Sequence, residues 1–222
     1  MAAILPENKI FSEAIDYLSK SKLIYENITK LPNTAFMPGL GGTGKTSTSI
    51  KYSLDYLIDV LGLEESDIWL SAPTSTQRKN LKKNLGRGII KESDSSNAGM
   101  ELISMAVDPN IYKSIISDLE QEKESSEYYT TVVEHDGTSV VLNWDKIKLN
   151  TKAAPKLLIV DEYTHFDNVA MQIFDKWTKV ISAGDNTQSG LFKNSYLYNI
   201  DREGIFTVRT PKLKISLRDN NL

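Results

Sequence analysis

Apolar positions along the chain follow two different spacings, and their alternation sets the expected architecture. Over residues 8–31, Ile10, Phe11, Ala14, Ile15 and Leu18 supply one stripe of a helix, which Pro32 and Asn33 end. Thr34-Ala35-Phe36-Met37 is then a short buried-strand candidate. Downstream of Lys45, the positions Ile50, Leu54, Leu57, Ile58 and Leu61 recur as on a helix with one buried face, and Gly62 is a suitable stop. Residues 68–72 predict a second strand and residues 75–85 a short basic helix. Residues 156–160 predict another strand, which runs directly into Asp161-Glu162. Residues 168–177 read as helix and 179–183 as strand, with Gly184-Asp185 following at once. Strands alternating with helices predict an α/β fold, a mostly parallel sheet covered on both faces. In such sheets ligands gather at the carboxyl ends of the strands, where this chain places Gly, Asp and Thr.

Residues 92–151 break the pattern. From Glu92 to Glu127 nine side chains are acidic and two basic, a local charge of -7. Tyr129-Thr130-Thr131-Val132-Val133, a turn-like Asp136-Gly137 and Ser139-Val140-Val141-Leu142 then suggest a hairpin. The expected organisation is one main α/β domain formed by residues 1–91 and 152–222, with 92–151 as an inserted acidic and hairpin subdomain.

Composition narrows the chemistry more than the fold. The 222 residues carry a net charge of -3, so no global positive field announces a nucleic acid, and local patches must carry that argument. There is no cysteine, which removes disulfides, thiolate catalysis and Cys-rich zinc or iron–sulfur sites. No apolar run reaches membrane-spanning length and the first residues lack the pattern of a secretory signal. The expectation is a protein of the cell interior, cytoplasmic or nucleoid-associated, or of a virus or phage that replicates there.

The strongest chemical signal is Gly39-Leu40-Gly41-Gly42-Thr43-Gly44-Lys45-Thr46, a full match to G-x-x-x-x-G-K-[ST] with a strand before it and a helix after. Glycines let backbone N–H groups curl around phosphates without Cβ clashes, and the following helix start adds unpaired N–H groups. Lys45 can bridge the β- and γ-phosphates of a nucleotide, while the Thr46 hydroxyl can ligate Mg²⁺. Such a site needs an acid at the end of a neighbouring strand. Asp161 is placed to hold Mg²⁺ and Glu162 to position or deprotonate the attacking water. His165 is a weaker base candidate, with a polar surface or supporting role the alternative. Gln188, after Gly184-Asp185, can sense a γ-phosphate, or the segment is simply an Asp/Asn turn. Residues 74–91 hold Arg78, Lys79, Lys82, Lys83, Arg87 and Lys91 with no acid among them. That stretch is either a phosphate track or a solvated basic helix. Among the aromatics, Trp69 is expected in the core and Tyr163 either in the core or stacked on a base. Tyr128, Tyr129 and Trp144 are expected to pack the insertion.

Together these stretches resemble the first RecA-like domain of a superfamily 1 DNA helicase, most like the RecD and Pif1 types. Residues 39–46 resemble motif I. Ser71-Ala72-Pro73-Thr74 with Gln77, Arg78 and Leu81 resembles motif Ia, which in that family contacts single-stranded DNA. Asp161-Glu162 resembles motif II, and Gly184-Asp185-x-x-Gln188 motif III. Ile215-Ser216-Leu217-Arg218 with Asn220 and Asn221 resembles motif IV. The resemblance implies a P-loop NTPase that binds ATP and Mg²⁺ through Gly39, Gly41, Gly42, Thr43, Gly44, Lys45, Thr46, Asp161 and Gln188. Lys45, Glu162, Gln188 and Arg218 would carry catalysis, and Pro73, Thr74, Arg78, Lys79 and Lys82 would contact a single strand. The sequence departs from the family in two places. Leu5-Pro6-Glu7-Asn8 lacks the glutamine that reads adenine, and the chain stops at Leu222 without a second RecA-like domain. The isolated chain is therefore expected to be a weak ATPase that needs that domain in cis or in trans, with the insertion 92–151 available to a protein partner or a duplex junction. The competing readings are a P-loop ATPase or kinase without nucleic acid, and a nucleotide-binding structural or switch module.

Overall fold

The computed structural model describes residues 34–38, 45–60, 62–92, 99–134, 137–185 and 208–209. The helix expected over 8–31, residues 39–44 of the glycine-rich loop, Gln188 and Arg218 lie outside them.

Six parallel strands form the main sheet: β1 (Thr34–Pro38), β2 (Ile68–Ser71), β3 (Ile89–Ile90), β6 (Leu157–Asp161), β7 (Val180–Gly184) and β8 (Val208–Arg209), in the spatial order β3-β2-β6-β7-β1-β8. A separate antiparallel hairpin joins β4 (Tyr129–Glu134) to β5 (Gly137–Leu142). Parallel strands need crossover connections. Two of these are α1 (residues 45–60), between β1 and β2, and α2 (Ser75–Leu85), between β2 and β3. The wide turns of α1 at Lys45–Ile50 and Tyr56–Val60 flank a regular stretch, Lys51–Asp55.

Alternation along the buried strands divides the core in two. Leu157, Ile159, Ile181 and Leu70 pack with Ile50, Leu54 and Leu57 of α1 and Leu81 and Leu85 of α2. Leu158, Val160 and Val180 point the other way, into a cluster with Phe174 and Trp177 of α5 (Asn168–Trp177). All five residues of β6 and of β7 are buried, as a parallel strand covered on both faces requires. The sheet is thus doubly wound, mostly parallel and covered by helices on both faces, as the sequence predicts.

The acidic stretch contributes two helices that its charge concealed, α3 (Met100–Ala106) and α4 (Pro109–Glu120). Asp108 caps α4 by accepting from the Asn110 N–H at 2.9 Å, and Pro109 stands at the first helical position, where a missing N–H costs nothing. Leu102, Ile103, Tyr112 and Ile115 turn inward and share one core with β6 and α5, while the carboxylates remain at the surface. Tyr129 and Leu142 of the hairpin are buried in that core, and Trp144 packs against it with Lys176 over its ring at 5.9 Å. Trp69 meets Trp177 edge to face at 5.9 Å.

Because α4 shares its core with the sheet, Ile115→Ala should cost about 2–5 kcal/mol, the range for truncating a buried aliphatic side chain. Urea denaturation followed by far-UV circular dichroism and by tryptophan fluorescence should report that loss in one coincident transition. Two separated transitions would mean that the insertion unfolds alone.

Candidate functional site

Register fixes the site. Asp161 of β6 pairs with Ala183 of β7, and Pro38 of β1 pairs with Gly184, so three strands end on one edge. β7 lies between β1 and β6, and its end, Gly184-Asp185, therefore stands between the strand that leads into the glycine-rich loop and the strand that delivers the acids. Alternation then aims Asp161 to the same face as Leu157 and Ile159, which is the face of α1.

There Asp161 meets the first turn of α1. The Thr46 hydroxyl donates to Asp161 Oδ2 at 2.6 Å across 115 residues of sequence. Asp161 Oδ1 accepts from the Glu162 N–H at 3.1 Å. Lys45, one residue earlier on the same turn, is buried. Burial pushes the Asp161 carboxyl above its ordinary range; the Thr46 hydroxyl, the Glu162 N–H and Lys45 oppose that shift, and the charge of Glu162 adds to it. The pair formed by Thr46 Oγ1 and Asp161 Oδ2 offers the hard oxygen donors that Mg²⁺ takes. Among the described residues no cluster of three or more His, Cys, Asp or Glu could hold a metal alone. An ion here would therefore draw its remaining ligands from phosphates and water, as Mg²⁺ does at nucleotide sites.

Glu162 adopts left-handed backbone angles, φ 53° and ψ 45°. A non-glycine residue held there costs of order 1–3 kcal/mol and persists only where its surroundings impose it. Its Oε2 is buried without a hydrogen-bond partner. A carboxylate oxygen left so is unusual in a folded protein and suits one that receives a proton from a bound water. Tyr163 follows, buried in the core, which settles its role as packing. Its ring lies against Gly184 so closely that a Cβ there would come 2.7 Å from Tyr163 Cδ1. The turn carrying the acids and the end of β7 thus fit together only because residue 184 has no side chain. His165 is half-buried and donates its backbone N–H to Glu162 O at 3.1 Å.

The second expected surface starts at the same sheet edge, after β2. Thr74 caps α2 through a reciprocal box: its hydroxyl accepts from the Gln77 N–H at 3.2 Å, while Gln77 Oε1 accepts from the Thr74 N–H at 3.1 Å. Thr74 and Lys79 are exposed and Pro73 is buried. Arg78 corrects the sequence reading. Its guanidinium is buried, donating to Ala72 O at 2.9 Å and paired with Glu92 at 3.0 Å, so a nucleic-acid phosphate cannot reach it. Other members of the basic run are also engaged within the protein. Lys82 donates to Gly88 O and lies near Glu65, Arg87 grips Asp59 and Asp55, and Lys91 sits over the Trp69 ring. Sequence inspection counted these cations but not their partners, which are distant in sequence. It also counted Glu92 only as one acid among many.

The raised Asp161 pKa has a sign that can be tested. An acid whose folded-state pKa exceeds its unfolded value favours the folded state below that unfolded value, and the benefit is lost as pH rises through the folded pKa. At neutral pH, without divalent cations, Asp161→Asn should therefore raise the thermal midpoint. Adding Mg²⁺ and nucleotide should stabilise the wild type but not the variant. A lowered midpoint in the metal-free variant would show that the carboxylate is fully compensated.

No protein-family model matches the chain, and no curated protein matches it. Among solved structures it is similar in fold to the Pif1 helicase from Candida albicans, at 15% identity and a TM-score of 0.46, over 91% of this chain and 40% of that one. Bacteroides sp Pif1 in complex with ADP-AlF4 is similar at 16% identity and a TM-score of 0.44, over 90% and 42%. The Arterivirus nonstructural protein 10 helicase with DNA is similar at 15% identity and a TM-score of 0.37, over 90% and 38%. The chain spans about two fifths of the length of these structures.

Proposed function

We propose that this chain is the ATP-binding and hydrolysing motor domain of a superfamily 1 type DNA helicase, working on single-stranded DNA together with a second RecA-like domain supplied in cis or in trans. The observation that carries the nucleotide half of this reading is the 2.6 Å contact between Thr46 and Asp161. It joins the end of a complete phosphate-loop motif to the acid of a neighbouring strand, and burial surrounds both. In this scheme the loop N–H groups and Lys45 bind the phosphates, and Thr46 and Asp161 hold Mg²⁺, whose charge offsets that of the phosphates. Glu162 Oε2 takes the proton of the attacking water, for which its unpartnered oxygen is suited. Gln188 senses the γ-phosphate and Arg218 contacts it. The second domain's arginine supplies transition-state stabilisation that one domain lacks.

Support for the nucleic-acid half is the exposed Thr74 at the sheet edge, with Lys79 on the helix it caps. Thr74, Lys79 and Lys82 remain the strand-contact candidates, while burial removes the side chains of Pro73 and Arg78. The alternative is a P-loop ATPase or nucleotide-binding switch module without helicase activity, and strand binding separates the two.

Lys45→Ala should abolish binding of a fluorescent ATP analogue while leaving the circular dichroism spectrum unchanged. Glu162→Gln should keep nucleotide binding and slow hydrolysis by roughly a hundred- to ten-thousand-fold, the usual worth of a general base. Undiminished turnover in that variant would place the base elsewhere. Oligo(dT) should stimulate the wild-type ATPase, and the stimulation should weaken as salt rises. An ATPase indifferent to every single strand, in a protein that binds none, would leave the switch-module reading.

A further inference from the structure

Among the described residues, the buried pair of Arg78 and Glu92 is a charged feature near the site that the scheme above does not use. Its side chains are 3% and 2% exposed, with Nη1 and Oε2 3.0 Å apart. The same Nη1 donates to Ala72 O at 2.9 Å and approaches Pro73 O at 3.4 Å. These carbonyls belong to the turn after β2, where the ladder hydrogen bonds have ended and buried acceptors need other donors. Glu92 is in turn held on three sides. The Ser71 hydroxyl donates to its Oε1, and the Gly99 N–H donates to its Oε2 at 3.2 Å. The carboxylate therefore binds together the end of β2, helix α2 and the residue preceding α3. A buried ion pair is a poor stability device, because desolvation offsets most of its attraction. It does fix geometry: the planar fork of arginine orients several acceptors at once, which lysine's point charge does not.

We propose that Arg78 and Glu92 are a positioning pair that holds the turn at Ala72, Pro73 and Thr74 in the shape that receives a single strand. The first residue of the acidic insertion thereby governs strand binding without touching the strand. This inference rests on the nucleic-acid reading of the same edge. Thr74 is exposed for contact, whereas the side chains of the pair are almost wholly buried.

The test uses the full chain. Losing one partner would leave a buried charge unpaired and can prevent folding, so the informative variant is the double replacement Arg78→Met with Glu92→Leu. It removes both charges at similar volume and leaves Ala72 O and Pro73 O without their donor. Fluorescent oligo(dT) affinity, fluorescent-ATP affinity and thermal midpoint are measured across a salt series. The expected result is an unchanged ATP affinity and a midpoint lowered by no more than a few degrees, with oligonucleotide affinity lowered roughly tenfold, about the worth of one hydrogen bond at the contact surface. That loss should be equal at every salt concentration, because no phosphate contact is removed. Unchanged oligonucleotide affinity would overturn the proposal, as would a parallel fall in midpoint and ATP affinity. A salt slope shallower by about one contact would also overturn it, by making Arg78 a direct phosphate ligand. Ser71→Ala, which loosens Glu92 but keeps both charges paired, should show the same pattern at smaller size, and answers the question if the double variant does not fold. Wild-type protein that binds no oligonucleotide would instead sink the nucleic-acid reading itself. Wild-type binding with an unaffected double variant sinks the positioning role alone.

Discussion

Parallel strands buried on both faces leave a protein little freedom over where to put charge. In β6 and β7 every residue is buried, so side chains that carry chemistry are confined to the last position or just beyond it. Asp161, Glu162 and Asp185 all obey that constraint. Since β1, β7 and β6 run parallel and in register, their ends coincide, and the polar residues expelled from each strand meet at one place. The Thr46 to Asp161 hydrogen bond is the consequence. It links the first turn of the helix after β1 to the end of β6, across β7.

That meeting place works against stability. Asp161 is held where burial disfavours its charge, Glu162 occupies left-handed backbone space, and Glu162 Oε2 lacks a partner. Each is a local cost that packing of the surrounding core offsets. The close approach of Tyr163 to Gly184 shows the packing side of this balance. It braces the strained turn from below, and it ties the acids to the strand end that leads toward Gln188.

Charge on this protein cannot be interpreted by counting. The basic run over residues 74–91 looks uniform in sequence, yet Arg78 is interior, Arg87 and Lys82 answer acids on other elements, and Lys91 covers an indole. The acidic stretch deceives in the opposite sense. Glu101, Asp118 and Glu120 lie on helices whose inner faces complete the core, whereas Glu92 turns inward. Net charge describes neither segment's function.

How much was legible in the sequence follows from whether the signal was local. The strands over 68–72, 156–160 and 179–183 and the helices over 75–85 and 168–177 were readable because alternation, helical spacing and caps such as Thr74 and Asp167 act within a few residues. The strand end that carries Asp161 and Glu162 was readable for the same reason. Helices α3 and α4 were obscured by their charge, although Asp108-Pro109 marks the start of α4. Strand order, the place of β7 between β1 and β6, and the inward turn of Arg78 onto Glu92 came only with the tertiary structure. Hydrogen bonds and ion pairs between residues far apart in sequence leave no spacing to read. They are chosen by which surfaces the sheet brings together. The sequence determined which chemical groups this chain carries; the packing of the sheet decided which of them stand together at the strand ends and which face each other.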